Sequence, residues 1–408
     1  MDKINISNEN NVEEKSFNSL GIAPKILETL TKINFKTPTP IQCKAIPIAI
    51  EGKDVIGIAQ TGTGKTHSFA IPMMQRLDQG NGIGLVLAPT RELAIQIDQA
   101  FQGLATPFGI KTACLIGGAS MYLQLQALKK SPRVIIATPG RLIDHMDRRK
   151  SLLRDVVMLV LDEADRMLDM GFAPQINKIM ESLPNERQTM LFSATIPKEI
   201  MTLTSKYMKL PVSLEIAPSG TTAESVTQEL FIVKKEAKLR LLEKILPQYS
   251  GSILLFSRTR HNASKITTAI KGMRYDVAEI HSSRTLAQRR EALEGFRRGK
   301  YKVLVATDIA ARGIDVTGIE LVINYDLPEE AENYVHRIGR TARAGSSGHA
   351  ISFAMPDQSR DVRNIERLIR RILPVSKHPE VPCEEFAKSE VVFSSNKRKG
   401  RSGRSCWR

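Results

Sequence analysis

The stretch Ala59 to Thr66 reads AQTGTGKT and has the residue types of a phosphate cradle. It follows a β-rich run, Val55 to Ile58, and precedes helix-favouring residues from His67 to Leu77. Gly62 and Gly64 let the backbone turn its N–H groups inward, and the helix that follows offers its positive end to an anion. Lys65 then reaches the β- and γ-phosphates of a nucleotide, and the Thr66 hydroxyl holds Mg2+. Ala59 stands where the pattern usually has its first glycine. The alternative is a plain strand-to-helix turn. Nucleotide binding is favoured because Gly64-Lys65-Thr66 falls where the helix should begin. A second chemical pair lies in VLVLDEADRML, where Asp162 and Glu163 directly follow an apolar strand. In an open α/β sheet, ligands collect at that end of the strands. Nucleotide hydrolysis needs one carboxylate to hold Mg2+, partly through water, and another to orient the attacking water. Asp162 suits the first task and Glu163 the second.

These residues require a scaffold of strands that end beside one another. β-rich runs occur at Val55–Ile58, Gly84–Leu87, Thr112–Ile116, Val134–Ala137, Val156–Leu161 and Thr189–Phe192, with helix-favouring runs such as Glu92–Leu104 between them. Continuous apolar strands alternating with helices predict a parallel sheet covered on both faces. The stretch Ala217–Val226 loses this periodicity and predicts a linker. The alternation resumes at Leu230–Val233, Ile253–Phe256, Val277–Ile280, Val303–Ala306 and Leu321–Tyr325. The predicted fold is therefore two α/β domains, over 17–216 and 227–374, and the second lacks a phosphate loop. Residues 1–16 are polar and predict a disordered segment; residues 375–408 predict a basic, flexible tail.

The 408 residues carry a net charge of +16, which points to a polyanionic partner. Six basic residues lie in Lys397–Arg408, but the excess is not confined to them. Aromatic residues make up only 5% of the chain, so backbone contacts are favoured over a broad stacking platform. The four cysteines are far apart, suggesting neither zinc nor a disulfide framework, and a reducing, cytoplasmic setting fits. No apolar run approaches the ~18 residues of a membrane span.

Residues 162–165 read Asp-Glu-Ala-Asp, and the chain resembles a DEAD-box ATP-dependent RNA helicase of superfamily 2. TPTPIQ at 37–42, AQTGTGKT at 59–66, PTRELA at 89–94, TPGR at 138–141, SAT at 193–195, ATDIAARGID at 306–315 and HRIGRTAR at 336–343 match in order. The wording of the last two is most similar to the bacterial RhlE-like branch. The resemblance covers Phe17 to about Leu373. It implies two tandem RecA-like domains, with ATP and Mg2+ bound between them.

The resemblance implies roles residue by residue. Gln42 would pair with the adenine edge, Phe35 would stack on the base, and Thr37 would lie close by. A core aromatic remains an alternative for Phe35. Asn34 stands where the family usually has glycine, and Asn tolerates positive φ. Ala59, Gln60, Thr61, Gly62, Thr63, Gly64, Lys65 and Thr66 would surround the phosphates. Ser193 and Thr195 would link hydrolysis to strand separation through the Asp162–Asp165 segment, or else cap the next helix. Arg340 and Arg343 would be arginine fingers, with Arg337 supporting and His336 bonding between domains. Asp315 would contact the ribose, and Gly313 would allow close approach. Thr90, Arg91, Gly118, Thr138, Arg141, Arg258 and Thr307 would grip the RNA backbone without reading its sequence. Arg289 could add a phosphate contact, but Leu286 replaces the usual glutamine three residues before it, so its polar link is missing. The implied activity is local, non-processive RNA strand separation or remodelling of RNA–protein complexes. An ATP-gated RNA clamp and a DNA helicase are the alternatives. The RNA substrate and any ribosomal or RNA-decay protein partners are left open.

Overall fold

The computed structural model describes residues 16–59, 63–149, 151–216, 226–311, 316, 318–341 and 348–387. Residues 1–15 of the expected disordered segment, almost all of the linker, and the tail beyond 387 lie outside them.

The first lobe is built on seven strands: β1 (Val55–Ile58), β2 (Ile83–Leu87), β3 (Thr112–Leu115), β4 (Val134–Ala137), β5 (Val156–Leu161), β6 (Gln188–Ser193) and β7 (Val212–Glu215). They pair in the order β3-β4-β2-β5-β6-β1-β7, every pair parallel. The second lobe has six: β8 (Val226–Ile232), β9 (Ser252–Phe256), β10 (Val277–Ile280), β11 (Val303–Ala306), β12 (Ile319–Asn324) and β13 (Gly348–Ala354). Their order is β10-β11-β9-β12-β13-β8, again parallel throughout.

Neighbouring residues on a strand enter opposite cores, as the pleat requires. Val86, Val160 and Phe192 join one apolar cluster, whereas Leu85, Leu87, Leu159 and Leu191 join another on the opposite face. The second sheet divides the same way, with Leu254 and Val322 on one side and Leu255 and Ile323 on the other. Burial on both faces explains why these strands read as unbroken apolar runs. Every expected strand is present.

Two further strands go beyond those expected. β7 is a four-residue edge strand with alternating exposure, and β13 reads GHAISFA, whose small and polar residues hide its strand character. The expected flexible tail also needs correcting at its start, because residues 375–387 pack on the second lobe. Leu230 donates its N–H to Pro374 O (2.9 Å), and Ser376 N–H donates to Leu230 O (2.8 Å). Glu384 N–H donates to Ile232 O (2.8 Å), and Val381 is buried. This segment covers β8, an edge strand that would otherwise leave backbone groups unpaired. Among the described residues, no helix is long and apolar enough to cross a membrane.

Candidate active site

The sequence places Lys65 as the first residue of a fifteen-residue helix, Lys65–Gln79, directly behind β1. Gly64 precedes it with φ 88°, a left-handed conformation that suits glycine, and a Cβ there would approach Gln42 Nε2 to 2.5 Å. Lys65 is only 6% exposed and donates to Ala59 O at 2.8 Å, bridging the loop where a phosphate would compete for it. Gln42 is 1% exposed; its amide donates to Gly64 O (3.0 Å) and accepts from Thr39 N–H (2.9 Å). One N–H and one lone pair remain, enough for an adenine edge. Phe35 is half-buried against His67, with ring centroids 4.2 Å apart, and burial pushes His67 down to about 4. Asn34 adopts φ 62°. Thr37 is exposed, while Thr63 and Thr66 are half-buried. Gln60, Thr61 and Gly62 lie outside the described residues.

β5 delivers Asp162 and Glu163 into the same crevice. Burial raises Asp162 to about 7, although Lys65 opposes the shift. The hard oxygens of Asp162 and Thr66 suit Mg2+. Among the described residues, no group of three His, Cys, Asp or Glu side chains could hold a metal alone, so Mg2+ here would lean on phosphates and water. Glu163 has φ 51° and pairs with Arg166. Burial works to raise its carboxyl, but Arg166, Lys65 and Arg340 outweigh that and hold it below the usual range. Asp165 is locked to the end of β6: its Oδ2 accepts from Ala194 N–H (3.0 Å), Thr195 N–H (3.0 Å) and the Thr195 hydroxyl (3.1 Å). Ser193 Oγ accepts from Asp165 N–H at 3.3 Å. The next helix, Lys198–Tyr207, has Pro197 at its N-cap, so Ser193 and Thr195 do not cap it.

The second lobe brings His336 and Arg340 against these acids. Both are on or just after the helix Ala331–Ile338. Arg340 is buried, and its charge helps hold Glu163 down. Burial, with Arg166 adding to it against Asp165, pushes His336 to about 4. Arg337 departs from its expected supporting role. Its guanidinium is 2% exposed, grips both Asp308 oxygens (2.6 and 2.7 Å), donates to Asn324 Oδ1 and Asp326 O, and lies over the Phe256 ring. The three-residue spacing turns it into its own lobe rather than the cleft. Arg343, Gly313 and Asp315 lie outside the described residues.

The expected backbone-gripping residues line up along the strand ends of the other half of the first sheet. Thr90 follows β2 and caps the helix Arg91–Ala105 by accepting from Leu93 N–H (3.2 Å). Gly118 follows β3 with φ 76°, and the Arg91 guanidinium fills the space a Cβ would need. Thr138 follows β4, and Arg141 donates to Ala119 O (3.1 Å) and pairs with Asp144 (3.2 Å). Arg258, after β9, and Thr307, after β11, line a cavity of about 330 Å3 shared with Asp169 of the first lobe.

The partner of Arg289 and some further contributors are not singled out by the sequence. Arg289 meets no polar link from Leu286; it pairs instead with Glu92 of the first lobe, while Leu286 packs on that lobe's core. His67 and Arg166 also join the site. Both lie within three residues of recognised motif positions, and that proximity is the only local signal for them.

Comparison with known proteins agrees with this geometry. Residues 39–203 match the DEAD/DEAH box helicase model, and residues 237–345 match the helicase conserved C-terminal domain model. The chain is 41% identical over 369 residues to the ATP-dependent rRNA helicase RRP3 of Debaryomyces hansenii, covering 90% of this chain and 77% of that protein. Its fold is similar to S. cerevisiae Dbp5 bound to RNA and ADP BeF3, at 30% identity and TM-score 0.79, covering 89% and 95%. It is also similar to Mss116p bound to ssRNA and AMP-PNP, at 29% identity and TM-score 0.82, covering 91% and 82%. The expected RhlE-like branch gains no support from these comparisons, in which the similar proteins named above include a yeast rRNA helicase.

Proposed function

This chain belongs to the DEAD/DEAH box helicase family, and on that premise we propose how its cleft couples ATP to RNA. It is an ATP-dependent RNA helicase. The observation that most supports the mechanism is the approach of His336 and Arg340 to Asp165 and Glu163 across the two lobes. Gln42 and Phe35 hold the adenine. Lys65 leaves Ala59 O for the phosphates, where its charge resists their repulsion. Thr66 and Asp162 would hold Mg2+, which when bound would supply positive charge to offset that of the phosphates. Glu163, kept ionised by Arg166, orients water toward that group. Arg340, joined by Arg343, faces the charge that grows in the transition state.

Asp165 ties this chemistry to RNA, because Ser193 and Thr195 respond to any shift of that acid. Thr90, Arg91, Gly118, Thr138 and Arg141 grip the strand from one lobe, and Arg258 and Thr307 from the other. Contacts to phosphate and sugar fix register without sequence preference. Closure needs both ligands, so each strengthens binding of the other. The result is local strand separation or remodelling of RNA–protein complexes in the cytoplasm, with ribosomal or RNA-decay proteins as candidate partners. The basic residues of Lys397–Arg408 add sequence-neutral RNA affinity.

Strand displacement measured beside RNA-stimulated ATPase activity tests this reading. RNA-stimulated turnover with displacement of a short duplex is expected. Turnover and ATP-dependent RNA retention without displacement would leave an ATP-gated clamp, and equal stimulation by DNA would count against RNA.

A further inference from the structure

The second sheet contains a switch point at which, of the residues given roles above, only Arg258 lies. Its chain runs from β9 to β10 and β11 on one side, then to β12 and β13 on the other. In open α/β sheets, the crevice outside the carboxyl ends of the strands at such a reversal is a ligand site. A cavity of about 360 Å3 opens there, walled by segments that follow β9, β12 and β13. Its charged lining is Lys235, Lys238, Arg258, His261, Lys265 and one acid, Asp326.

That acid is already committed. Asp326 accepts from the Ser257 hydroxyl (3.1 Å), Arg258 N–H (3.1 Å) and Asn262 Nδ2 (3.0 Å), and lies 3.2 Å from Lys238 Nζ. Lys238 is thereby neutralised. Asp357 is close to Lys238 but does not line the cavity. Lys235 and Lys265 are exposed and form no ion pair among the described residues. The crevice is therefore left with surplus positive charge. Its lining contains no Phe, Tyr or Trp side chain.

Arg258 gives the crevice its context, because it lines both this cavity and the one between the lobes that contains Thr307. We propose that the crevice is a phosphate site that takes the RNA backbone as the strand leaves the interlobe cleft, with Lys235 and Lys265 as its contacts. The proposal rests on the RNA reading above. It assigns the second lobe a footprint extending past the cleft, recognised by phosphate alone.

The test uses the full chain with AMP-PNP, an RNA of about six nucleotides that fills only the cleft, and one of about twenty that reaches beyond it. The charge-reversed pair Lys235→Glu/Lys265→Glu is compared with Lys129→Glu/Lys130→Glu on the first lobe, which changes net charge equally. The first pair should lose about tenfold in affinity for the long RNA at low salt, with a salt slope shallower by about 2. Its affinity for the short RNA should remain at the wild-type level, and the control pair should lose less. Wild-type affinity and slope for the long RNA in the first pair would overturn this proposal alone, as would an equal loss in the control. Failure of the wild-type chain to bind either RNA would overturn the RNA reading and this proposal with it.

Discussion

Arg289 Nη2 lies 2.9 Å from Glu92 Oε2 across the boundary between the two lobes, with both side chains buried. Burial lowers the pKa of Arg289, and Glu92 works to restore it. When the lobes separate, water solvates both groups; when they close, each depends on the other. Removing one partner of a buried pair costs about 3–5 kcal/mol because the remaining charge is stranded. Arg289→Met should therefore reduce the factor by which AMP-PNP tightens RNA binding, and adding Glu92→Leu should recover much of it. An unchanged factor in the single variant would show that the pair does not contribute to closure.

Glu163 is positioned as the group that orients water, with Arg166 keeping it ionised. Glu163→Gln keeps the shape and loses the charge. RNA-stimulated turnover should fall by about 10²- to 10⁴-fold. RNA should still be retained in the presence of ATP. Turnover near the wild-type rate would assign the role to another residue.

His336 introduces a pH dependence into closure. It faces Asp165 and Arg166 of the first lobe, with Glu163 and its own neighbour Arg340 nearby. Its closed-state value of about 4 lies below the ordinary 6.5, so the closed state favours the neutral ring. Closure is therefore fully supported above about 6.5 and loses support as pH falls toward 4, by at most about tenfold per pH unit. ATP-coupled RNA binding measured from pH 7.5 to 5 should weaken toward acid, and His336→Asn should flatten that profile. A parallel slope in the variant would exclude His336 as the titrating group.

Two glycines separate backbone constraint from open space. Gly118 combines φ 76° with the Arg91 guanidinium against it, whereas a methyl group added at Gly103, within the helix Arg91–Ala105, would meet nothing within 4 Å. Gly118→Ala should cost about 1–2 kcal/mol through left-handed backbone strain. It should also weaken RNA binding by displacing Arg91. Gly103→Ala should be neutral or gain up to about 1 kcal/mol. Thermal melts of both variants check this, and equal melting temperatures would refute the strain at Gly118.

Local features of the sequence are enough to locate much of the molecule. Strands buried on both faces announce themselves as apolar runs, and β1, β5 and β9 are readable for that reason. β7 and β13 are not, since a four-residue edge strand is too short to stand out and a strand of small and polar residues lacks a clear apolar run. The packed stretch 375–387 reads as tail because its order comes from covering β8, a partner its own residues do not announce.

By itself, the sequence determined the motifs that work within one turn of backbone. Gly64-Lys65-Thr66 makes its cradle at a single strand-to-helix junction, and Asp162-Glu163 needs only the end of β5. Tertiary structure alone decided which of the arginines spaced three apart faces the cleft. Arg337 is drawn onto Asp308 while Arg340 approaches Glu163. It also decided that Arg289 pairs with Glu92 rather than depending on a glutamine neighbour. The physical reason is that a turn is fixed by dihedral angles of adjacent residues, whereas a contact between lobes is fixed by how two separately packed sheets dock.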